Sequence, residues 1–448
     1  MYLHGTSRIN EQGRLEIGGC DTVELAEKFG TPLYVYDETL IRENCRAFKR
    51  AFDRSGLRYQ VGYASKAFCT MAMCKLIEEE GLCLDVVSAG ELHTSVKAGF
   101  PADRIHFHGN NKTPEEIEYA LKVGIGEFVV DNFRELELLG GMAKAAGKTV
   151  TILLRVSPGV EAHTHEYIST GQEDSKFGFD VMSGQAKEAI QTALMLEGIR
   201  LAGLHSHIGS QIFETDGFSV AVSRVADLYE WAGKALGYAF WKLNVGGGFG
   251  IRYTEEDVPL ALEAYVDAIT DAIKVEFAIR GLEYPEVVIE PGRSIVGAAG
   301  TTLYTVGSTK NIPGIRKYVS VNGGMTDNPR PALYQSKYEA MLANRALEPA
   351  VETVSIAGKC CESGDMLIWD IELPEVRAND ILAVSCTGAY NYSMASNYNR
   401  IARPAVVFVK DGKADLVVKR ETLDDLVQND LVPERLLSGS EHSRVPSR

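Results

Sequence analysis

Between residues 58 and 292 apolar positions come in short dense runs. Each run is followed by a polar turn and then by a stretch with apolar residues at every third or fourth position. Short runs of this kind read as buried strands, and the longer spacing reads as amphipathic helices. The runs are RYQVGYAS (58–65), LCLDVVS (82–88), RIHFHG (104–109), EFVVD (127–131), TVTILLRVS (149–157), LAGLHSHIG (201–209), WKLNVGG (241–247) and PEVVIEPG (285–292). Helical patterns such as TPEEIEYALKVG and FSVAVSRVADLYEWAGKALG lie between them. Eight βα units in succession predict a closed (β/α)₈ barrel. A doubly wound sheet would have fewer strands and a GxGxxG turn opening its first helix, and YASKAF (63–68) is not such a turn.

After Ser294 the rhythm changes. TTLYTVGSTK, KYVSVNGG, AVETVSIAG, MLIWDIELP, DILAVSCTG, RPAVVFVKDGK and DLVVKRE follow one another with turns and few helices. This predicts a second, mostly β C-terminal domain. The early run TPLYVYD (31–37) has no place in the count of barrel strands, so it is assigned to that β domain. Asp37 reads as the N-cap of the helix that follows. The expected organisation is an α/β chain: a TIM-like barrel over 38–295, a β domain from 1–37 plus 296–425, and a C-terminal segment 426–448. The end of that segment, from Gly439, is polar and expected to be disordered.

Composition narrows the function only a little. A chain of 448 residues suits two domains. A formal charge of −15 argues against nucleic acid and anionic membrane as partners, without excluding a small anionic substrate. The eight cysteines form no CxxC pair, and no apolar run is long enough for a signal peptide or a membrane span. A reducing, cytoplasmic setting is expected.

In such a barrel the chemistry gathers where the strands end. Those ends carry Lys66, then Asp85 and Ser88, then His108 and Asn110, then Arg155. His205, His207 and Ser210 follow in HSHIGSQ, then the glycines of GGGFG (246–250), then Glu290 and Arg293 in EPGRS. Taken singly, each has an ordinary reading. A lysine at a strand end can snorkel to solvent, and glycine clusters often only turn the chain. His205 and His207 are read as facing opposite ways, making one of them a packing residue and the pair poor joint metal ligands. The same holds for His163 and His165. No metal is expected. Taken together, a lysine, a glycine loop able to approach a phosphate, a flat histidine and a carboxylate are what a pyridoxal phosphate site requires.

At this point the chain resembles the fold-type III pyridoxal-phosphate-dependent decarboxylase family, and within it the diaminopimelate decarboxylases. The motifs that carry the resemblance run from HGTSRIN and GTPLYVYD through YASKAF, HTHEYISTGQEDSKFGFD, HSHIGSQ, NVGGGFG, EPGRS, GGMTDNPRPALY and CESGD to GAYNYSMASNYN. The resemblance implies pyridoxal 5'-phosphate as cofactor and decarboxylation of meso-2,6-diaminopimelate to L-lysine, the last step of lysine biosynthesis. It also implies a homodimer with active sites at the subunit interface. Carried onto this sequence, Lys66 is the Schiff-base lysine and His207 stacks on the pyridine ring. Ser210, Gly247, Gly248 and Tyr390 bind the phosphate, and Glu290 pairs with the ring nitrogen. Arg293, Arg330, Tyr334 and Tyr390 bind substrate. Cys361, a candidate acid, and Glu362, for the distal ammonium, reach in from the partner. Lys176 and Asp365 are implied as a cross-subunit ion pair. One departure is Asn322, where aspartate is the more usual residue.

The residue chemistry agrees with this substrate. Its far end presents a carboxylate, which suits arginine, and an ammonium, which suits Glu362. The alternatives are a decarboxylase of ornithine, arginine or carboxynorspermidine on the same scaffold, a pyridoxal-phosphate-binding homologue without catalysis, and a metal-dependent barrel hydrolase. The stretch 163–178, rich in Gly, Ser and Thr, has the composition of a lid.

Overall fold

The structure, a computed structural model, describes residues 1–160 and 175–437. The expected behaviour of His163, His165, most of the 163–178 stretch and the tail from Gly439 lies outside the described residues.

The eight apolar runs form the eight barrel strands: β1 (Tyr59–Ala64), β2 (Cys83–Val86), β3 (Ile105–Phe107), β4 (Glu127–Val130), β5 (Val150–Ser157), β6 (Ile199–His205), β7 (Lys242–Asn244) and β8 (Glu286–Ile289). Each pairs in parallel with the next, and β8 pairs with β1, so the sheet closes. Closure buries most strand residues on both faces, which is why these runs read as continuous apolar blocks rather than alternating ones. Helices return between the strands, and polar side chains cap their N-termini at the end of the barrel where the strands finish. Thr70 caps Met71–Glu79, Ser88 caps Ala89–Lys97, and Asn132 caps Phe133–Ala145. Thr113 caps Pro114–Val123 with a reciprocal capping box. Ser88, counted above among the rim groups, is therefore a cap: its Oγ accepts the Glu91 amide at 3.3 Å.

The β domain contains β9 (Gly300–Ile312), β10 (Arg316–Val321), β11 (Glu352–Ala357), β12 (Met366–Leu373), β13 (Ile381–Val384), β14 (Ala405–Lys410) and β15 (Lys413–Val418). The strand Leu33–Asp37 lies between β9 and β14, antiparallel to one and parallel to the other. Asp37, at its end, caps the helix Glu38–Ser55 by accepting the Leu40 amide. Asn322 belongs to this framework. Its Oδ1 accepts the Thr305 amide at 3.0 Å, and its Nδ2 donates to Thr31 O at 2.9 Å and Thr31 Oγ1 at 2.8 Å. An ionised aspartate could not donate, so Asn322 ties the chain near Thr31 to β9 rather than tuning a reaction. Among the described residues no helix is long and apolar enough to cross a membrane.

Asp327 is the unusual group of the β domain. It is buried, with its Oδ2 accepting the Gly324 amide at 2.9 Å and its Oδ1 accepting the Tyr304 hydroxyl. Burial, with Asp365 adding to it, pushes its carboxyl up to about 7. A raised acid holds its proton in the folded state after the unfolded chain has released it, so stability falls as pH rises between the two values. Wild type should therefore lose about 2–3 kcal/mol relative to Asp327→Asn between pH 5 and pH 7, with no further loss above. Urea unfolding of both proteins across that range checks this. Parallel profiles would show a carboxyl that stays ionised.

Candidate active site

A cavity of about 370 Å³ opens where the barrel strands end. Lys66, Asp85, His108, Asn110, Arg155, His205, His207, Ser210, Gly248, Glu290, Arg293 and Tyr390 are on its wall. Of the strand-end groups named from sequence, Ser88 and three glycines of the cluster, Gly246, Gly247 and Gly250, do not reach it.

Lys66 sits on a single 3₁₀ turn, Ser65–Ala67, directly after β1. Among the described residues no hydrogen bond or salt bridge holds its ammonium, which leaves the amine facing the cavity. The turn itself is fixed from the other domain: Tyr390 N donates to Ala67 O at 2.8 Å, and Ser393 Oγ donates to the same oxygen at 3.2 Å.

Glu290 follows β8, the strand that pairs with β1 to close the barrel. Asn244 Nδ2 donates to its Oε1 at 2.6 Å, His205 Nε2 lies 3.1 Å from its Oε2, and His108 Nε2 lies 3.3 Å from its Oε1. Burial works to raise this carboxyl, but His108 and His205 outweigh it and hold it well below the usual carboxylate range. Asp85 stands behind, with His106 Nδ1 at 3.2 Å and His108 Nε2 at 3.7 Å from its Oδ1. His108, His205 and Glu290 bring ligand-type atoms within 4.8 Å of one another; the carboxylate is hydrogen-bonded to His205 and lies 3.3 Å from His108.

The opposite-face expectation for the two histidines fails. Positions two apart along a strand share a face, and both His205 and His207 reach the cavity, His207 just past the end of β6. His207 Nδ1 accepts the Gly247 amide at 3.2 Å, which leaves the ring proton for Nε2. Burial first, and then Lys66 and Arg155, keep this ring well below the usual histidine range, so it is neutral. One of the pair was expected to be a packing residue, but His205 is a partner of Glu290 and His207 also reaches the cavity. Asn244 was also missed. Its place at the end of β7, beside the glycine cluster, was the available signal.

The glycines divide their work. Gly247 spends its amide on His207 behind the cavity wall, while Gly248 reaches the cavity with φ +97°. A Cβ on Gly248 would lie 2.2 Å from Gly209 O. Ser210 Oγ accepts Arg293 Nη2 at 2.9 Å, and Arg293 also donates to Tyr253. Arg330, at the start of the short helix Arg330–Tyr334, is buried outside the cavity wall. Its guanidinium donates to Tyr338 at 2.7 Å and lies over Tyr253 and Tyr390, 4.9 and 5.9 Å from their ring centres. Arg293 lies 4.9 Å from the Tyr390 ring centre. Tyr253 thus joins the two arginines, a role nothing in its local sequence signals. Burial would raise the Tyr390 hydroxyl, but Arg293, Lys66 and Arg330 together lower it below the usual phenol range.

Tyr334, Cys361 and Glu362 are not on the cavity wall of their own chain. Cys361 and Glu362 are exposed on a turn before β12, where Asn399 Oδ1 accepts the Cys361 amide at 2.7 Å. Asp365 is turned inward and buried, with its carboxylate on backbone amides.

Gly248→Ala must displace the Gly209 carbonyl or adopt a strained backbone. It is expected to cost on the order of 1–3 kcal/mol of folding free energy. Denaturant unfolding of the variant checks this, and an unchanged midpoint would show that the loop yields freely.

The pyridoxal-dependent decarboxylase family, through its pyridoxal binding domain, matches residues 38–297. The diaminopimelate decarboxylase of Bacillus subtilis (strain 168) is 62% identical over 432 residues, covering 96% of this chain and 98% of that protein. That of Bacillus methanolicus is 60% identical over 422 residues, covering 94% and 98%. The crystal structure of diaminopimelate decarboxylase from M. jannaschii in complex with L-lysine superposes with a TM-score of 0.91 at 38% identity, covering 97% of this chain and all of that one. With the closed barrel, the free lysine after β1 and the charged carboxylate after β8 already in place, this chain belongs to the pyridoxal-dependent decarboxylase family.

Proposed function

We propose that the chain decarboxylates meso-2,6-diaminopimelate to L-lysine and carbon dioxide, with pyridoxal 5'-phosphate held in the barrel cavity. The observation that carries the substrate is a pair of buried cations. Among the described residues neither Arg293 nor Arg330 forms a salt bridge, and both face Tyr390. Buried guanidinium groups without a carboxylate call for anions, and the fork of an arginine fits a carboxylate or a phosphate. A substrate with a second, distal carboxylate provides one. Ornithine does not.

The cavity fits the cofactor. Arg293 Nε and Ser294 Oγ are buried there without hydrogen-bond partners among the described residues, and Gly248 keeps its backbone bare. Lys66 would anchor the cofactor covalently, His207 would lie on its ring, Glu290 would face its ring nitrogen, and Ser210, Gly248 and Tyr390 would hold its phosphate. Gly247 supports this set through His207. Bound there, the cofactor accepts the electron pair released when the Cα–carboxylate bond breaks.

The chain's own groups do the rest. Glu290, ionised between His108 and His205, holds a proton at the nitrogen it faces. His207, neutral, adds no positive charge against the ring. Arg330, Arg293 and Tyr334 take the distal end of the substrate and so orient the bond to be broken. One proton is consumed at Cα in each turnover, delivered by Lys66 or Cys361. Cys361 and Glu362 are exposed and stand off their own chain's cavity, which is the placement needed to complete the site of a second copy. This supports a symmetric homodimer with two shared sites.

Lys66→Ala should abolish the visible absorbance of the bound cofactor and lower carbon dioxide release by at least about a thousandfold. Retention of that absorbance would put the anchor elsewhere. Arg330→Lys keeps the charge but loses the fork, and should raise KM for diaminopimelate about tenfold or more at similar kcat. Turnover of ornithine in preference to diaminopimelate by the wild-type enzyme would refute the substrate.

A further inference from the structure

Two loops of the β domain meet on one buried carboxylate. Asp365 Oδ1 accepts the Met325 amide at 2.6 Å, and Oδ2 accepts the Cys360 amide at 2.7 Å. Asp365 is 3% exposed and, among the described residues, makes no salt bridge. Its approach needs two bare positions: a Cβ on Gly324 would lie 2.5 Å from Oδ1, and one on Gly358 would lie 2.1 Å from Oδ2. Backbone bonds complete the junction. Lys359 N donates to Gly323 O at 2.9 Å, and Gly358 N donates to Asp365 O at 2.9 Å. Asp327 grips the first loop a second time through the Gly324 amide at 2.9 Å.

The first loop leads into Arg330. The second carries Cys361 and Glu362. A buried carboxylate is costly unless it is hydrogen-bonded, and this one bonds two amides 35 residues apart in sequence. Because both bonds end on one rigid planar group, displacing either loop strains the other.

We propose that Asp365 is a positioning residue that holds the Arg330 loop and the Cys361–Glu362 turn in one register, and so couples binding groups of two active sites, its own chain's and its partner's. The proposal rests on the shared-site reading above. It distinguishes Asp365 from a residue that serves only the turn offered to the partner.

Heterodimers purified through two different tags provide the test. The control pairs a Lys66→Ala chain with a Cys361→Ala chain. Each homodimer should have little activity, and the hybrid, with one intact site of two, should recover about half of the wild-type rate. The second hybrid pairs Lys66→Ala with Asp365→Ala. Its one site with a lysine takes Lys66 and Arg330 from the Asp365→Ala chain and an undisturbed Cys361 turn from the other. KM for diaminopimelate should rise about tenfold or more at that site, with kcat within about twofold of the control. A KM equal to the control's would overturn the proposal. An inactive control hybrid would mean that the sites are not shared, and the coupling would fall with that reading. Should the Asp365→Ala chain fail to fold, hydrogen exchange on the wild-type holoenzyme decides. The Met325 and Cys360 amides should exchange at one common slow rate, and unrelated rates would overturn the proposal.

Discussion

Glu290 is a carboxylate placed where burial would ordinarily neutralise it, and the end of the barrel is arranged to keep it charged. Two imidazoles and an amide donor converge on its two oxygens from β6, β7 and the residue after β3. Their combined pull exceeds the cost of burial. No single strand could supply this set. It exists because a closed parallel sheet brings the ends of strands distant in sequence to one rim. The Lys66 turn faces the same space from β1, so a free amine and a fixed negative charge share one cavity. The neutral His207 follows from the same economy. With Glu290 already committed to His108 and His205, a third cation beside Lys66 and Arg155 would go uncompensated, and burial together with those two charges keeps the ring unprotonated.

The β domain supplies what the barrel lacks. Tyr390 comes from that domain, is held at φ +72°, and uses its amide to bind the Lys66 turn. Its ring lies between two guanidinium groups, one from the end of β8 and one from the loop after β10. The aromatic face gives those cations a partner that leaves their outer N–H groups available. A carboxylate in its place would have satisfied them and removed their attraction for an anionic substrate.

The architecture was legible because closure imposes one pattern eight times. Each strand reads as a short apolar block, and each rim position is a polar group just past it. The assignment of Leu33–Asp37 to the β sheet came from counting, since that strand had no place in the barrel. What stayed hidden were relations rather than residues. His205 and Glu290 are 85 positions apart, and nothing local shows that they touch. The two histidines misled because positions two apart along a strand share a face rather than oppose each other, so both can reach the cavity. Asn322 looked like a departure near the reaction, but its amide donates where a carboxylate could not. Tyr253 has no motif at all, yet it binds one arginine and lies beneath the other.

These relations also explain why the substrate and the cofactor are read from different parts of the chain. In the proposed reading the cofactor is held mostly by strand ends, whose positions the barrel fixes within one subunit, with Tyr390 added from the β domain. In the same reading the substrate's distal end falls to Arg330, Cys361 and Glu362, which sit in the loop segments of the β domain, where the sheet does not dictate geometry. Loops hold a precise distance only if something ties them together. Here Asp365 bonds an amide of each loop, and Asp327 bonds the Gly324 amide within the first. On the coupling proposed above, a substitution in one of these loops would be felt in the other, because both bond the single carboxylate of Asp365.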